Sequence, residues 1–211
     1  MSSLLTELPG RYPLLSGCMS AIEQTVNLLI RAFAQGNTFF VAGNGGSGAD
    51  AEHIAGELLK GFLRRRPASG ELQKRLAETG GAEGRELAAK LQQGLRCVSL
   101  LSHPGLLSAF ANDVDASEIY AQQLYALARP GDVVMGISTG GNSENVRKLL
   151  ITARALALPS VLLTGNRHGS CEAFADTVIA VDAAETYKIQ ELHLPVYHAI
   201  CAAVEAHFFA E

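Results

Sequence analysis

The feature that most constrains the fold is an apolar run followed at once by a glycine-rich turn and the start of a helix, over residues 39–57. The turn, residues 43–48 (GNGGSG), predicts a strand–turn–helix unit. Backbone N–H groups point outward at such a turn, and the helix start adds partial positive charge, so the unit favours an anion site, most often for phosphate. The alternative is an ordinary tight turn between strand and helix.

Two titratable side chains follow the turn on the same helix. His53 and Glu57 are four residues apart and therefore share one helix face. A phosphate-binding loop followed by two such groups one to three helical turns later indicates chemistry on a phosphorylated substrate.

Apolar stretches alternate with helical patterns along the rest of the chain. The predicted strands are 38–42, 97–101, 132–137, 160–164 and 177–181, and the main predicted helices are 16–35, the helix after the turn to about Leu63, 118–128, 144–156 and 185–209. Wholly apolar strands suit a parallel sheet covered on both faces. The order predicts a three-layer, doubly wound α/β domain with a five-stranded parallel sheet, spanning residues 1–211 as one domain.

Residues 67–94 interrupt this order. They are rich in charged and amide side chains and predict two short helices, 71–79 and 85–93, around a glycine pair. We interpret the segment as an exposed helical insertion, either a lid or an oligomer arm, rather than a second domain.

A second turn, residues 138–143 (STGGNS), follows the third predicted strand. Its hydroxyl and N–H groups could hold phosphate oxygens at a helix start, although Ser and Asn also cap ordinary helices. Since parallel strands bring such turns to one edge of the sheet, two of them indicate a phosphate site more strongly than one.

Charge and cysteine content exclude several classes of protein. The formal net charge of −4 gives no reason to expect nucleic acid as the main partner, and no apolar run approaches the roughly 20 residues of a membrane span. The first residues resemble no signal peptide, so we expect a cytoplasmic protein.

The cysteines form no CxxC pair, so we expect them to be buried free thiols. The arginine run 64–66 predicts either a solvated turn or an oligomer contact.

The turn 43–48 also matches the GxGxxG pattern of dinucleotide-binding folds. Those folds need an acidic residue at the end of the next strand, where this chain has Ser102 and His103. The motifs instead resemble the sugar isomerase (SIS) family, and within it the phosphoheptose isomerases. The resemblance rests on 43–57, on 136–146, on Asn112-Asp113, and on 189–198 with its IQELH segment, and it covers nearly the whole chain outside 67–94.

The resemblance implies a role for each matching position. It implies an acid/base pair of Glu57 and His198, and a zinc site of His53, Glu57, Gln190 and His198. It implies substrate contacts from Asn44, Gly45, Gly46, Ser47, Glu57, Asn112, Asp113, Ser138, Thr139, Gly140, Ser143 and Gln190, of which Ser138, Thr139 and Ser143 would hold the phosphate.

The residue chemistry is compatible with these roles. An aldose–ketose interconversion needs a base at the carbon and an acid, or a Lewis acid, at the oxygen. Glu57 could take the proton and His198 could serve the oxygens. His and carboxylate suit zinc, whereas the amide of Gln190 is a weak and unusual ligand. Whether Glu57 acts as ligand, base or both stays open.

The resemblance implies conversion of sedoheptulose 7-phosphate to an aldoheptose 7-phosphate, a role in heptose biosynthesis, and a homotetramer. Departures at Gly61, where the family has arginine, and at Gly140, where it has serine, leave open an isomerase of another sugar phosphate. Lys60 or Arg64 could replace the missing positive charge. A non-catalytic SIS module that binds sugar phosphate or a replication-initiator-like protein is the alternative, and retention of Glu57 and His198 favours the enzyme.

Overall fold

The computed structural model describes residues 3–209 and contains one five-stranded parallel sheet. The strands are β1 (Phe39–Gly43), β2 (Cys97–Ser99), β3 (Val133–Ile137), β4 (Ser160–Thr164) and β5 (Thr177–Ala180), in the spatial order β2-β1-β3-β4-β5. The order reverses between β1 and β3, which pair from Phe39 with Val133 to Gly43 with Ile137. The crevice beyond the carboxyl ends of strands at such a switch point is where open α/β sheets bind ligands.

Helices cover both faces of this sheet. They are α1 (Ser3–Arg11), α2 (Met19–Ala34), α3 (Gly46–Leu59), α4 (Gly70–Lys90), α5 (Pro104–Phe110), α6 (Ile119–Leu127), α7 (Glu144–Ala155) and α8 (Thr186–Phe208), with short 3-10 turns at Pro13–Cys18, Ala116–Glu118 and Glu172–Phe174. Side chains of α1, α2, α3 and α8 share one core with one face of the sheet, and α6 and α7 cover the other face. The predicted three-layer parallel α/β fold is therefore confirmed.

Every residue of β1, β3 and β4 is buried, because these strands have neighbours on both sides and helices on both faces. This explains why they read as continuous apolar runs rather than as alternating patterns. The observed bounds lie within two residues of the predicted ones for all five strands. The strand β2 is shorter than predicted and ends at Ser99.

The segment α4 is a helical hairpin. Gly81 has φ +55° and breaks the helix, and a Cβ at Gly84 would lie 1.8 Å from the carbonyl oxygen of Leu76, so only glycine lets the two arms approach. Backbone bonds from Ala68 to Leu91 and from Gln93 to Arg66 close its base. The predicted pair of exposed helices is confirmed, and the role as lid or oligomer arm stays a prediction.

The helix α3 ends at Leu59, four residues earlier than predicted. The backbone N–H groups of Phe62 and Leu63 both donate to the buried carboxylate of Glu205, each at 2.8 Å, and this draws the chain away from the helical path. Arg66 is also buried and pairs with Glu205 at 2.9 Å, so the prediction of a solvated turn was wrong for this arginine.

Two further local predictions were incomplete. The polar stretch after α5, for which no helix was predicted, is a π-helical turn, Ala111–Asp115. The helix α1 was not predicted, and Pro9 inside it explains why the sequence there does not read as helical.

All four cysteines are buried and free, as predicted. Burial raises the pKa of the Cys18 thiol to about 11, with the backbone hydrogen bond at Cys18 opposing it, so this thiol stays protonated at neutral pH. Within residues 3–209, no helix combines the length and the apolar character that crossing a membrane requires.

Candidate active site

The glycine-rich turn connects β1 directly to α3. Gly45 has φ +54°, a conformation that glycine adopts without strain. A Cβ at Gly43 would lie 2.5 Å from the backbone oxygen of Ser47, so the first turn of the helix folds back tightly onto the end of the strand. The turn therefore places the N-terminus of α3 at the carboxyl edge of the sheet, as an anion site requires.

Gln190 of α8 lies against this turn. A Cβ at Gly46 would come within 2.5 Å of the Gln190 side-chain amide nitrogen, so no larger residue fits at position 46 without moving Gln190. Glycine at 46 thus permits close contact between the turn 43–48 and the segment 189–198, which are more than 140 residues apart in sequence. The structure therefore brings together Gly46 and Gln190, two of the candidate site residues.

The second turn follows β3. The hydroxyls of Ser138 and Ser143 lie 2.9 Å apart, Ser143 is the N-terminal cap of α7, and Gly141 has φ +65°. Among the described residues other than its chain neighbours, no atom lies within 4 Å of a Cβ placed at Gly140, so a side chain there would meet open space. Two hydroxyls at a helix start form a suitable cradle for phosphate oxygens.

A reciprocal amide pair joins the two turns. Asn44 and Asn145 donate to each other with two bonds of 2.8 Å, and the Tyr120 hydroxyl donates to the Gly43 carbonyl at 2.6 Å and contacts the Asn44 amide oxygen at 3.1 Å. Both turns are therefore held in one fixed arrangement at the switch point between β1 and β3.

The titratable side chains cluster where α3 meets α8. His53 Nε2 lies 3.2 Å from Glu57 Oε1, and the rings of His53 and His198 are 5.1 Å apart between centroids in an edge-to-face arrangement. Glu57 is 13% exposed, and its Oε2 lies 3.5 Å from the ammonium of Lys60. The predicted trio of His53, Glu57 and His198 is brought together.

Burial lowers the pKa of His198, and the neighbouring His53 lowers it further, while Glu57 opposes the shift. His198 is therefore held neutral at pH 7, and a neutral imidazole can donate a proton at one nitrogen and accept one at the other. Its Nε2 is buried and makes no hydrogen bond among the described residues.

The residues that could hold a metal are His53, Glu57, Gln190 and His198. In the arrangement of side chains from 3 to 209, no three His, Cys, Asp or Glu groups already converge as a metal site. Glu57 Oε2 and His198 Nε2 are nevertheless buried atoms that form no hydrogen bond with any described residue, and they lie beside a histidine whose Nε2 faces Glu57. Imidazole nitrogens and a carboxylate are the donors zinc prefers, so the donor set fits zinc in its chemistry.

Asn112 and Asp113 lie on the π-helical turn Ala111–Asp115 that follows α5. Both side chains are exposed on the π-helical turn and bond to each other at 2.8 Å, with no hydrogen bond to another candidate residue in the described part of the chain. Thr139 is half-buried, and its carbonyl accepts from the Gly165 N–H, which ties the second turn to the end of β4.

Sequence reasoning assigned no role to two residues of the cluster. The Tyr197 hydroxyl lies 3.0 Å from His53 Nδ1 and 3.2 Å from Asp50 Oδ1. Burial raises the pKa of Asp50, and the Tyr197 hydroxyl and His53 oppose the shift. The spacing of Asp50 and His53 on one helix face is visible in the sequence, but the contact with Tyr197 depends on how α8 packs.

Comparisons with known proteins identify the family of this chain. Two SIS domain family models match, one over residues 88–210 and the other over residues 15–97. A phosphoheptose isomerase of Crocosphaera subtropica is 35% identical over 191 residues, which cover 90% of this chain and 84% of that protein.

Two solved structures share the fold along nearly the whole chain. The phosphoheptose isomerase of Neisseria gonorrhoeae superposes with a TM-score of 0.73 at 25% identity, covering 95% of this chain and 94% of that one. The phosphoheptose isomerase of Francisella tularensis gives 0.75 at 23% identity, covering 94% and 92%. The chain belongs to the SIS domain family, among the relatives of the phosphoheptose isomerases.

Proposed function

We propose that this protein is an aldose–ketose isomerase that converts sedoheptulose 7-phosphate to D-glycero-D-manno-heptose 7-phosphate. The observation that carries the proposal is the contact of Glu57 with His53, beside His198, at the edge of the sheet that holds both phosphate-binding turns. The phosphoheptose isomerase relatives support the same reaction. A heptose phosphate would place its phosphate at the turns and its reactive end near Glu57.

The reaction moves one proton between neighbouring carbons. Glu57 takes a proton from C1 of the ketose while His198 gives a proton to the C2 carbonyl oxygen, which produces an enediol. Glu57 then returns its proton to C2, and the hydroxyl at C1 gives its proton back to His198 as the aldehyde forms. Each group ends in its starting state, so no external acid or base is consumed.

The two turns supply substrate binding in this proposal. Ser138, Thr139 and Ser143 hold the phosphate at the start of α7, where N–H groups and hydroxyls both favour an anion. Gly140 leaves open space beside them. Asn44, Gly45, Gly46 and Ser47 contact the sugar, together with Gln190, Asn112 and Asp113.

We also propose that zinc is the cofactor, held by His53, Glu57, Gln190 and His198. Buried donor atoms without hydrogen bonds at Glu57 and His198 support this assignment. When bound, zinc supplies a Lewis acid that polarises the carbonyl. Protein purified without chelator or metal-affinity resin should contain zinc at a fixed stoichiometry in elemental analysis, and its absence would count against the four-residue site.

Three broader features belong to the same proposal. We propose that the whole chain forms one SIS domain with residues 67–94 as an insertion, that it works in the cytoplasm, and that it assembles as a homotetramer. Light scattering coupled to size-exclusion chromatography tests the assembly, since a tetramer has four times the 22.3 kDa chain mass.

The proposed activity is tested by incubating the wild-type protein with sedoheptulose 7-phosphate and following the product by NMR. We expect an aldose anomeric signal to grow in as the ketose signals decline. Fructose 6-phosphate in parallel reports whether the site prefers seven carbons. Binding of either sugar phosphate without conversion would instead identify a non-catalytic sugar-phosphate module.

A further inference from the structure

Tyr197 inserts its hydroxyl between two side chains of α3. The hydroxyl lies 3.0 Å from His53 Nδ1 and 3.2 Å from Asp50 Oδ1, and the Tyr197 ring meets the His53 ring edge-on at 5.4 Å. Tyr197 is 2% exposed, so its hydroxyl depends on these two partners rather than on solvent. The three groups form a chain of hydrogen bonds that ends at the candidate metal ligand His53.

The proton positions in this chain follow from donor and acceptor chemistry. An ionised carboxylate can only accept, and a phenol has a single proton to give. Tyr197 therefore donates to Asp50, and its oxygen accepts the N–H of His53 Nδ1. In a neutral imidazole this arrangement leaves His53 Nε2 without a proton, as a metal ligand requires.

The other side of the ring is consistent with this assignment. His53 Nε2 lies 3.2 Å from Glu57 Oε1. In the neutral Nδ1–H form of the ring, an unprotonated nitrogen and a carboxylate oxygen therefore face each other. Two acceptors at this distance repel unless a cation lies with them. We propose that Asp50 and Tyr197 are positioning residues that hold His53 in the Nδ1–H form and direct the Nε2 lone pair at a bound metal ion. The inference rests on the proposed zinc site.

If Tyr197 has only a packing role, the expected results differ from those of a positioning role. If the ring only fills space between α3 and α8, removing its hydroxyl leaves the tautomer of His53 unchanged. If the hydroxyl positions His53, Tyr197→Phe keeps the ring but removes the acceptor for Nδ1–H. Losing such an outer partner typically weakens metal binding about 10–100-fold.

Asp50→Ala is a second variant, and it separates the positioning role from a packing role more clearly. Without the carboxylate, the Tyr197 hydroxyl is free to donate to His53 Nδ1, which favours the opposite tautomer with Nε2–H directed at Glu57. The expected signature is therefore a reversal of the tautomer, which loss of packing alone does not produce.

The experiment records ¹⁵N spectra of histidine-labelled, metal-free protein and measures zinc affinity by competition with a chromophoric chelator. His53→Gln identifies the His53 signals. Tyr120→Phe is the matched control, because Tyr120 is 3% exposed and its hydroxyl bonds to Gly43 and Asn44 instead of His53. We expect an Nδ1–H signal for wild type and the control, its loss in Tyr197→Phe, its reversal in Asp50→Ala, and zinc affinity lowered about 10–100-fold in both variants.

An unchanged His53 tautomer in both variants, or zinc affinity within twofold of wild type, would overturn the proposal. Failure of the zinc site itself is recognised separately, because wild type would then bind no zinc. In that case the spectra of the metal-free protein still decide whether Tyr197 and Asp50 set the tautomer.

Discussion

The side-chain amides of Asn44 and Asn145 bond to each other twice, at 2.8 Å each, and so lock the glycine-rich turn to the first turn of α7. A net gain of about 0.5–1.5 kcal/mol is typical of each such bond. We expect Asn145→Ala to raise KM for the sugar phosphate about 10-fold, with a smaller change in kcat, because the turns lose their fixed spacing. Steady-state kinetics test this, with the exposed Asn27→Ala on α2 as control. An unchanged KM would show that the pair is dispensable for binding.

Lys60 is the cation beside the proposed base, 3.5 Å from Glu57 Oε2 and 58% exposed. Arg64 instead donates to the Phe209 carbonyl, and Arg66 is buried against Glu205. Lys60 is therefore the better candidate for the positive charge that the resemblance leads us to expect near position 61. We expect Lys60→Met to lower kcat/KM about 10-fold, because it removes a charge that favours a developing oxyanion. Lys60→Arg keeps the charge and should therefore retain most of the wild-type kcat/KM. Equal loss in both variants would contradict a charge effect.

The loop that carries Lys60 is anchored by a buried carboxylate. Burial alone raises the pKa of Glu205, but bonds from the N–H groups of Phe62 and Leu63 and the charge of Arg66 lower it below its usual value. Removing one partner of a buried ion pair typically costs about 3–5 kcal/mol. We expect Glu205→Gln to lower the free energy of unfolding by that amount in urea titrations. Glu71→Gln, which breaks an exposed pair with Arg75, is the control and should change it by less than about 1 kcal/mol.

His193 makes the stability of the folded protein depend on pH in the acid range. The side chain is fully buried, and burial lowers its pKa to about 4, with the Thr164 backbone opposing the shift. Because the unfolded chain binds the proton more readily, stability is highest above about pH 6.5 and falls as the pH drops towards 4, by up to about 3 kcal/mol. Urea titrations from pH 7 to 4 measure this loss. His193→Leu should lose less stability over the same range, and an identical pH dependence would remove His193 as its source.

Much of the fold was predictable because the strands are buried on both faces. In β1, β3 and β4 the apolar run and the strand are nearly the same residues, since a parallel central strand has no solvated face. The turns at their carboxyl ends were predictable for a related reason, because strand order brings them to one edge whatever their distance in sequence.

The parts that were not predictable depend on contacts between distant segments. Arg66 belongs to a charged run that reads as solvated, yet its partner Glu205 is 139 residues away. Tyr197 reads as part of the apolar stripe of α8, and its contact with His53 arises only from the packing of α8 on α3. Side-chain partners across the fold leave no local pattern, so a sequence yields candidates for a site more readily than the bonds that orient them.

In the proposed reaction, Glu57 moves the proton between C1 and C2 of the sugar phosphate. The most direct test compares wild type with Glu57→Gln for conversion of sedoheptulose 7-phosphate, with Glu52→Gln as control because Glu52 is exposed on the same helix. We expect kcat to fall about 10²–10⁴-fold in Glu57→Gln and to remain near the wild-type value in Glu52→Gln. The circular dichroism spectrum should be unchanged in both variants. Turnover by folded Glu57→Gln at a rate close to wild type would exclude Glu57 as the group that moves the proton.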